Sequence, residues 1–132
     1  MISEHRALLV NDDLFFSGRL VSVLTKQGFD VSVAANAALA LESARQKSAE
    51  LVIVNANSRV IDAPELIRQM RSESKACRII AFLSHTRIPE SRDRILGAGA
   101  DRLCANSAIT MRLPEIVKTV LSADAGPPGV EE

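Results

Sequence analysis

The 132-residue chain has no tryptophan and no tyrosine, and its four phenylalanines make up only 3% of the sequence. Its 47% hydrophobic content therefore comes mainly from aliphatic residues, which predicts a core of Ala, Val, Leu and Ile. No apolar run approaches the roughly 18 residues that a membrane-spanning helix needs, and the first six residues lack the pattern of a secretion signal. These absences predict a soluble, cytoplasmic protein with a single core.

An excess of charge of either sign is also missing, because 16 Lys and Arg residues balance 16 Asp and Glu residues. Proteins that bind nucleic acids or anionic membranes usually carry a clear positive excess. We therefore expect neither a nucleic acid nor a membrane as partner.

Metal and redox motifs are absent as well. The two cysteines, Cys77 and Cys104, lie far apart in sequence, and neither belongs to a Cys-x-x-Cys pair. We expect both to be buried, reduced thiols. His85 is expected in an exposed loop and His5 in an irregular N-terminal segment, so neither has a partner at metal-ligand spacing.

Five short apolar runs alternate with longer amphipathic segments, which is the sequence pattern of repeated β-α units around a parallel sheet. Strands are predicted at residues 7–10, 30–34, 51–54, 78–83 and 102–105. Helices are predicted at residues 14–27, from Asn36 onward, from about Pro64 onward, at 89–98 and at 113–123. A Gly-rich turn at residues 97–100 follows a helix and precedes a strand, the reverse of the order in a dinucleotide-binding loop.

The last nine residues have a different composition. They include Gly126-Pro127-Pro128-Gly129, which cannot pack a core, so residues 124–132 are predicted to form a disordered tail. The domain is accordingly expected to span residues 1–123. No DNA-binding or catalytic output unit is apparent after residue 123, so we expect the output to be supplied in trans.

Polar side chains follow the predicted strands. They are Asp12 and Asp13 after the first strand, Asn55 after the third, Ser84 after the fourth and Asn106 after the fifth. In an open parallel sheet the functional crevice lies at the carboxyl ends of the strands. These five residues are therefore the candidate site.

Four segments carry a resemblance to the receiver domains of response regulators, over residue 6 to about residue 121. They are Leu-Leu-Val-Asn-Asp-Asp at 8–13, Leu-Val-Ile-Val-Asn at 51–55, Ile-Ile-Ala-Phe-Leu-Ser at 79–84 and Ala-Gly-Ala-Asp at 98–101. The resemblance implies a doubly wound, flavodoxin-like (βα)5 fold whose five-stranded parallel sheet has the order 2-1-3-4-5. In that family an acidic pair and an aspartate hold Mg²⁺, and a histidine kinase phosphorylates the aspartate.

Part of the family's site is retained. Asp12 and Asp13 match the acidic pair, and Ser84 matches the hydroxyl residue that contacts the phosphoryl group. Two carboxylates with a neutral amide make a weaker Mg²⁺ site than three carboxylates, so Asp12 and Asp13 imply at most weak metal binding and no other cofactor. The alternative is that one of them caps the first helix.

The remaining positions depart from the family. Asn55 stands at the phosphoacceptor position, Asn106 at the position of a lysine, and Leu103 at the position of an aromatic switch residue. An amide is a poor nucleophile compared with a carboxylate, so phosphorylation at Asn55 is not expected. Asp62, in the following loop, is not expected to replace it. The prediction is a pseudo-receiver, a degenerate receiver that is not an enzyme and acts by protein contact.

The resemblance also implies an output face on the fourth helix, the fifth strand and the fifth helix. Candidate contact residues on this face are Ile88, Arg92, Arg94, Ile95, Ile109, Met111 and Arg112. They would contact a signalling partner or a second copy in a homodimer, although ordinary amphipathic helix surface would also account for them.

A flavodoxin-like ligand-binding or enzymatic domain is the alternative function. A flavin phosphate would need a hydroxyl- and glycine-rich loop after the first strand, but residues 11–14 place two carboxylates there. A phosphohydrolase would need a nucleophilic carboxylate, a second acid two residues later and a facing lysine. The sequence offers neither arrangement.

Overall fold

The computed structural model describes residues 5–122 and 125–132, and strands alternate with helices along that chain. Its strands are β1 (Arg6–Val10), β2 (Asp30–Ala34), β3 (Leu51–Asn55), β4 (Arg78–Leu83), β5 (Arg102–Ala105) and β6 (Gly129–Glu131). Its helices are α1 (Leu14–Lys26), α2 (Ala37–Gln46), α3 (Ala63–Glu73), α4 (Ile88–Ala98) and α5 (Asn106–Leu121), with a 3-10 turn at His85–Arg87. None of the described helices is both long and apolar enough to cross a membrane.

The strands form one parallel sheet in the order β2-β1-β3-β4-β5-β6. The predicted doubly wound order 2-1-3-4-5 is confirmed, and a sixth strand extends it. Val10 pairs with Val54 and Leu83 with Ala105, so the carboxyl ends of β1, β3, β4 and β5 meet along one edge. The register therefore brings the polar residues after these strands together.

The core lies on both faces of the sheet. Strands β3 and β4 are buried almost throughout, as expected for parallel strands covered by helices on each side. The predicted apolar stripe of α3, Leu66, Ile67 and Met70, packs into this core. Each fully buried Leu or Ile contributes about 1.5–3 kcal/mol relative to an exposed one, so aliphatic burial dominates the stability.

The Gly-Ala-Asp segment after α4 has a structural function. Gly99 has φ +124°, and a Cβ atom there would lie 2.9 Å from Cγ of Arg71. The Arg71 guanidinium donates to the Gly99 carbonyl at 2.8 Å and to Asp101 Oδ2 at 3.0 Å, and that oxygen also accepts from the Ile79 amide. Glycine is needed here because Arg71 crosses directly over the turn.

Helix α5 differs from its prediction because it begins at Asn106 and not near Leu113. The helical conformation is broken at Arg112, with φ −130° and ψ 21°. Pro114 explains the break, since it lacks an N–H group and its ring crowds the carbonyl of Thr110. The helix thus consists of two segments joined at Arg112.

The C-terminal segment also differs from its prediction. Residues 129–131 form β6, parallel to β5, where the sequence predicted a disordered tail. An uncovered strand edge presents unpaired N–H and C=O groups, and β6 satisfies those of β5. The predicted domain boundary at residues 123 and 124 lies outside the described residues, as do residues 1–4, so the domain limits stay a prediction.

Candidate functional site

Four asparagines form an amide cluster at the carboxyl edge of the sheet. Asn11 follows β1, Asn55 ends β3, Asn57 lies two residues later, and Asn106 begins α5. Asn11 is 1% exposed and Asn55 is 6% exposed, whereas Asn57 and Asn106 are partly buried. The cluster joins three strand ends through side-chain amides.

Asn55, at the end of β3, has hydrogen-bond partners on both sides. Its Nδ2 donates to Asn11 Oδ1 at 2.8 Å. Its Oδ1 accepts from the backbone amide of Asn57 at 2.8 Å and from Asn57 Nδ2 at 3.0 Å. Both ends of the amide are therefore used, and a carboxylate could reproduce only the accepting end.

Asn57 connects Asn55 to the other side of the cluster. Its Nδ2 also donates to Asn106 Oδ1 at 2.9 Å, and its Oδ1 accepts from the backbone amide of Ser84 at 2.8 Å. One side chain therefore links the ends of β3 and β4 to the start of α5. Removing it would leave the Ser84 backbone amide and the Asn106 side-chain oxygen without this partner.

The orientation of each amide follows from backbone donors. Asn55 must direct its oxygen to the Asn57 N–H, and Asn57 its oxygen to the Ser84 N–H. Asn11 likewise accepts from the Asp13 N–H at 3.2 Å, while its Nδ2 donates to the Asp13 carbonyl and to Ser17 Oγ, each at 2.9 Å. Because backbone N–H groups cannot be reversed, the network has one consistent assignment.

The acidic pair is placed differently from its expected position. Val10 is in register with Val54, and Asn11, the next residue, accepts the hydrogen bond from Asn55 Nδ2. Asp13 Oδ1 accepts from the Phe16 amide at 3.2 Å and caps α1, which is the alternative role that the sequence offered. Both aspartates are exposed.

This donor set does not fit Mg²⁺ as the family holds it. The oxygen of Asn55 accepts two hydrogen bonds, and that of Asn11 accepts two more. Within residues 5–122 and 125–132, no three His, Cys, Asp or Glu side chains lie close enough together to hold a metal ion. A hard divalent cation prefers several charged oxygens, and the cluster supplies neutral ones that already have partners.

The remaining site positions lie around the cluster. The Ser84 hydroxyl is 3.1 Å from that of Thr86, in the loop that leads to α4. Leu103, which the sequence analysis placed at the switch position, is completely buried in β5, where its backbone is in register with Ala81 of β4 and Val130 of β6.

The predicted output face contains fewer surface residues than expected. Ile88, Ile95 and Ile109 are buried, because the apolar stripes of α4 and α5 face the sheet, and they belong to the core. Met111 is 79% exposed, and Arg92, Arg94 and Arg112 are also exposed. The accessible candidates on this face are therefore three arginines and one methionine, and the exposed carboxylates of Glu90 and Asp93 lie among them on α4.

The two cysteines are buried, as predicted, and His85 is exposed. Burial raises the pKa of the Cys104 thiol to about 12; the Glu131 carboxylate adds to the rise, while Arg102 and Arg112 oppose it. Cys104 pairs with Glu131 in the β5–β6 register, so its ionisation is sensitive to the sixth strand.

Asn11 and Asn57 are the site residues that the sequence analysis missed. The signal for Asn11 was its position directly after the first strand, level with Asn55 after the third. Nothing in the sequence indicated Asn57, since its contacts with Ser84 and Asn106 cross 27 and 49 residues.

Comparison with known proteins agrees with this fold. Residues 7–117 match the family model described as response regulator receiver domain. The transcriptional regulatory protein PrrA of Mycobacterium leprae is 26% identical over 122 residues, which cover 91% of this chain and 51% of that protein. The chain thus spans about half the length of this curated relative.

Solved structures show the same fold. The chemotaxis response regulator CheY4 of Vibrio cholerae superimposes with a TM-score of 0.79 at 23% identity, covering 89% of this chain and 98% of that one. A response regulator receiver domain protein from Methanospirillum hungatei gives 0.78 at 22% identity, covering 86% and 90%. Since the family model covers most of the chain and the strand order agrees, the chain belongs to the response regulator receiver domain family.

Proposed function

We propose that this receiver domain transmits signals by protein contact and without phosphorylation of an aspartate. The observation that carries the proposal is Asn55, whose amide occupies the end of β3 and is bonded to Asn11 and Asn57. The resemblance assigns the phosphoacceptor to this position. An amide is a poor nucleophile and does not form an acyl phosphate, so the reaction lacks its acceptor.

The rest of the cluster supports the proposal. Asn106 replaces the lysine that would pair with an incoming phosphoryl group, and its Oδ1 accepts a hydrogen bond from Asn57. A neutral amide cannot supply the charge-assisted bond that a lysine makes. The Ser84 backbone amide is also occupied, by Asn57 Oδ1. The pocket is filled by its own side chains.

The neighbouring carboxylates have other roles. Asp13 caps α1, and Asp62 Oδ1 accepts from the Glu65 amide at 3.2 Å and caps α3. Phosphorylation would turn the capping carboxylate into a bulkier acyl phosphate, whose carbonyl oxygen is a weaker acceptor for the helix N–H group than a carboxylate oxygen is. We therefore propose that neither replaces Asn55, and that Mg²⁺ is not required for the domain's activity.

The same features disfavour a catalytic role. A flavin or phosphate-binding enzyme needs an anion-binding loop after β1, and this loop carries Asp12 and Asp13. We propose instead a non-enzymatic module that acts in the cytoplasm on a signalling partner supplied in trans, with a homodimer as the alternative assembly. Exposed apolar side chains such as Phe15 and Met111 suit protein contact.

An amide NMR titration tests the proposal. The wild type and Asn55→Asp are each titrated with Mg²⁺ and then with beryllofluoride, a phosphoryl mimic. We expect the wild-type spectrum not to change, because the protein lacks both a carboxylate at position 55 and the metal site. Any change should be confined to Asn55→Asp. Saturable shifts of the wild type at Asp13, Asn55 and Ser84 would refute phosphorylation-independent signalling.

A further inference from the structure

The outer edge of β5 is covered by the chain's own C-terminal segment. Arg102, Leu103 and Cys104 of β5 pair with Gly129, Val130 and Glu131 of β6. The covering strand has only three residues, all partly exposed. The structure therefore shows both a strand edge that accepts a further strand and the short segment that occupies it.

Arg102 shows that the edge is built to hold such a segment. It is only 8% exposed, and its guanidinium donates to the carbonyls of Ala125 and Pro127, the latter at 3.1 Å. Its Nε lies 3.9 Å from Glu131 Oε1. A buried guanidinium needs acceptors, and most of those around Arg102 come from residues 125–131.

A second cation faces the same segment. At the break in α5, Arg112 Nη1 lies 3.8 Å from Glu131 Oε2, and Nη2 donates to the Glu132 carbonyl at 3.2 Å. The Glu131 carboxylate is thus held between two guanidinium groups. The edge selects an acidic side chain at this position of the bound strand.

The preceding position selects an apolar side chain. Val130 packs against the core, and with Ile88, Pro89, Arg92 and Glu132 it lines a shallow depression beside α4. Alternate residues of a strand face opposite sides of the sheet, so Val130 and Glu131 contact different groups. The edge therefore fits an extended segment in which an apolar residue precedes an acid.

The acidic side chain of the present occupant is held only weakly. Its ion pairs are close to 4 Å long, and the Arg112 and Glu131 side chains are substantially exposed, a situation in which such pairs contribute little. The occupant benefits instead from its tether, which gives an effective concentration on the order of millimolar. A segment of the same chemistry on another protein could take its place.

We propose that the β5 edge, with Arg102, Arg112 and the depression beside α4, is a docking site for an extended acidic segment of a partner protein. Residues 125–132 occupy the site in the isolated domain and are displaced when the partner adds its own strand in parallel to β5. This inference rests on the proposed signalling by protein contact and names the kind of partner.

The test uses the full chain and a peptide of residues 125–132 that is acetylated, amidated and fluorescently labelled. Glu131→Lys in the full chain places a third cation beside Arg102 and Arg112 and releases the resident strand. We expect this variant to bind the peptide at least about tenfold more tightly than the wild type does. Amide NMR shifts should be confined to β5, α4 and α5.

Two matched controls make the result specific. A peptide carrying Glu131→Lys should not bind either protein, because it presents a cation to two arginines. The double variant Arg112→Glu with Glu131→Lys restores an ion pair in the chain and should bind the original peptide no better than the wild type. If Glu131→Lys lowers the dispersion of the amide NMR spectrum, which would indicate partial unfolding, Val130→Asp is used instead as a second variant that releases β6.

Equal peptide binding to the wild type and to both releasing variants, or binding to none of them, would overturn the proposal. A wild-type dimer that dissociates on dilution in sedimentation and is lost in Glu131→Lys would also overturn it, because a second copy would then occupy the edge. The assay contains no Mg²⁺ and no phosphoryl mimic. Its failure is therefore distinguishable from failure of the proposed function, which the titration of the carboxyl-edge cluster tests separately.

Discussion

The carboxyl-edge amide cluster and the β5–β6 edge both place polar groups against the same sheet, but they differ in how firmly those groups are held. In the cluster, neutral amides that are mostly buried make direct bonds of 2.8–3.2 Å, and backbone donors fix their orientation. At the β5–β6 edge, charged side chains meet at 3.8–3.9 Å around a three-residue strand. Buried amides with several bonds each stabilise one arrangement, whereas long, partly exposed ion pairs such as Arg112–Glu131 allow exchange.

The largest expected effect concerns Cys104, which lies beneath the sixth strand. Since the thiolate is the reactive form and burial raises the pKa of Cys104 to about 12, iodoacetamide at pH 8 should modify it on the order of a thousandfold more slowly than an unperturbed thiol. The rate should rise with pH up to about 12. Mass spectrometry of the cysteine peptides follows the reaction, and the urea-unfolded chain is the reference.

Glu131→Ala sharpens this measurement. It removes a carboxylate that raises the Cys104 pKa, so modification should become faster in the folded protein. Cys77, which is distant from β6 in sequence and is also buried, serves as the internal control and should keep its rate. Equal acceleration of both cysteines would indicate global loosening and contradict a local effect of the strand.

Asn55→Asp should destabilise the domain by roughly 3 kcal/mol at pH 7. The carboxylate would be buried against Asn11 Oδ1 without the donor that Asn55 Nδ2 provides. Urea unfolding measures the loss. At about pH 4 it should shrink, because a protonated carboxyl group can donate to Asn11 again. A loss that is independent of pH would contradict this explanation.

Asn57→Ala should cost about 2 kcal/mol, because it leaves the Ser84 amide and the oxygen of Asn106 without their partner. Asn36→Ala is the matched control: Asn36 makes one exposed capping bond to the Leu39 amide, and its loss should cost about 1 kcal/mol. Urea unfolding ranks the two variants. Hydrogen exchange at Ser84 should accelerate only in Asn57→Ala.

The smallest effect is expected for Glu131→Ala on global stability. Both ion pairs of Glu131 are long and partly exposed, so the loss should be less than about 1 kcal/mol. Urea unfolding should show nearly the same midpoint as the wild type, while amide shifts change along β5 and β6. A loss as large as that of Asn57→Ala would remove the contrast between the two regions.

The strand periodicity and the polar residues after each strand were sufficient to predict five β-α units around a parallel sheet and the position of Asn55 at the end of a strand, whereas the strand order was implied by the resemblance to receiver domains. Apolar runs of strand length indicate which segments enter a buried parallel sheet, and the five predicted strands agree with the structure to within a residue or two. The placement of Asp12 and Asp13 could not be predicted in the same way. The acidic pair lies just beyond the strand, where one position decides whether a side chain enters the pocket or caps a helix.

The sequence by itself determined the alternation of five strands with helices and the position of Asn55 at the end of the third strand, because hydrophobic periodicity and residue identity are local properties. Only the tertiary structure decided that Asn11 and Asn57 complete the cluster, that Ile88, Ile95 and Ile109 belong to the core, and that residues 129–131 form a strand. Each of these depends on contacts between residues distant in sequence. The edge of β5 supplies the unpaired backbone groups and the buried Arg102 that order a segment whose own composition favours disorder.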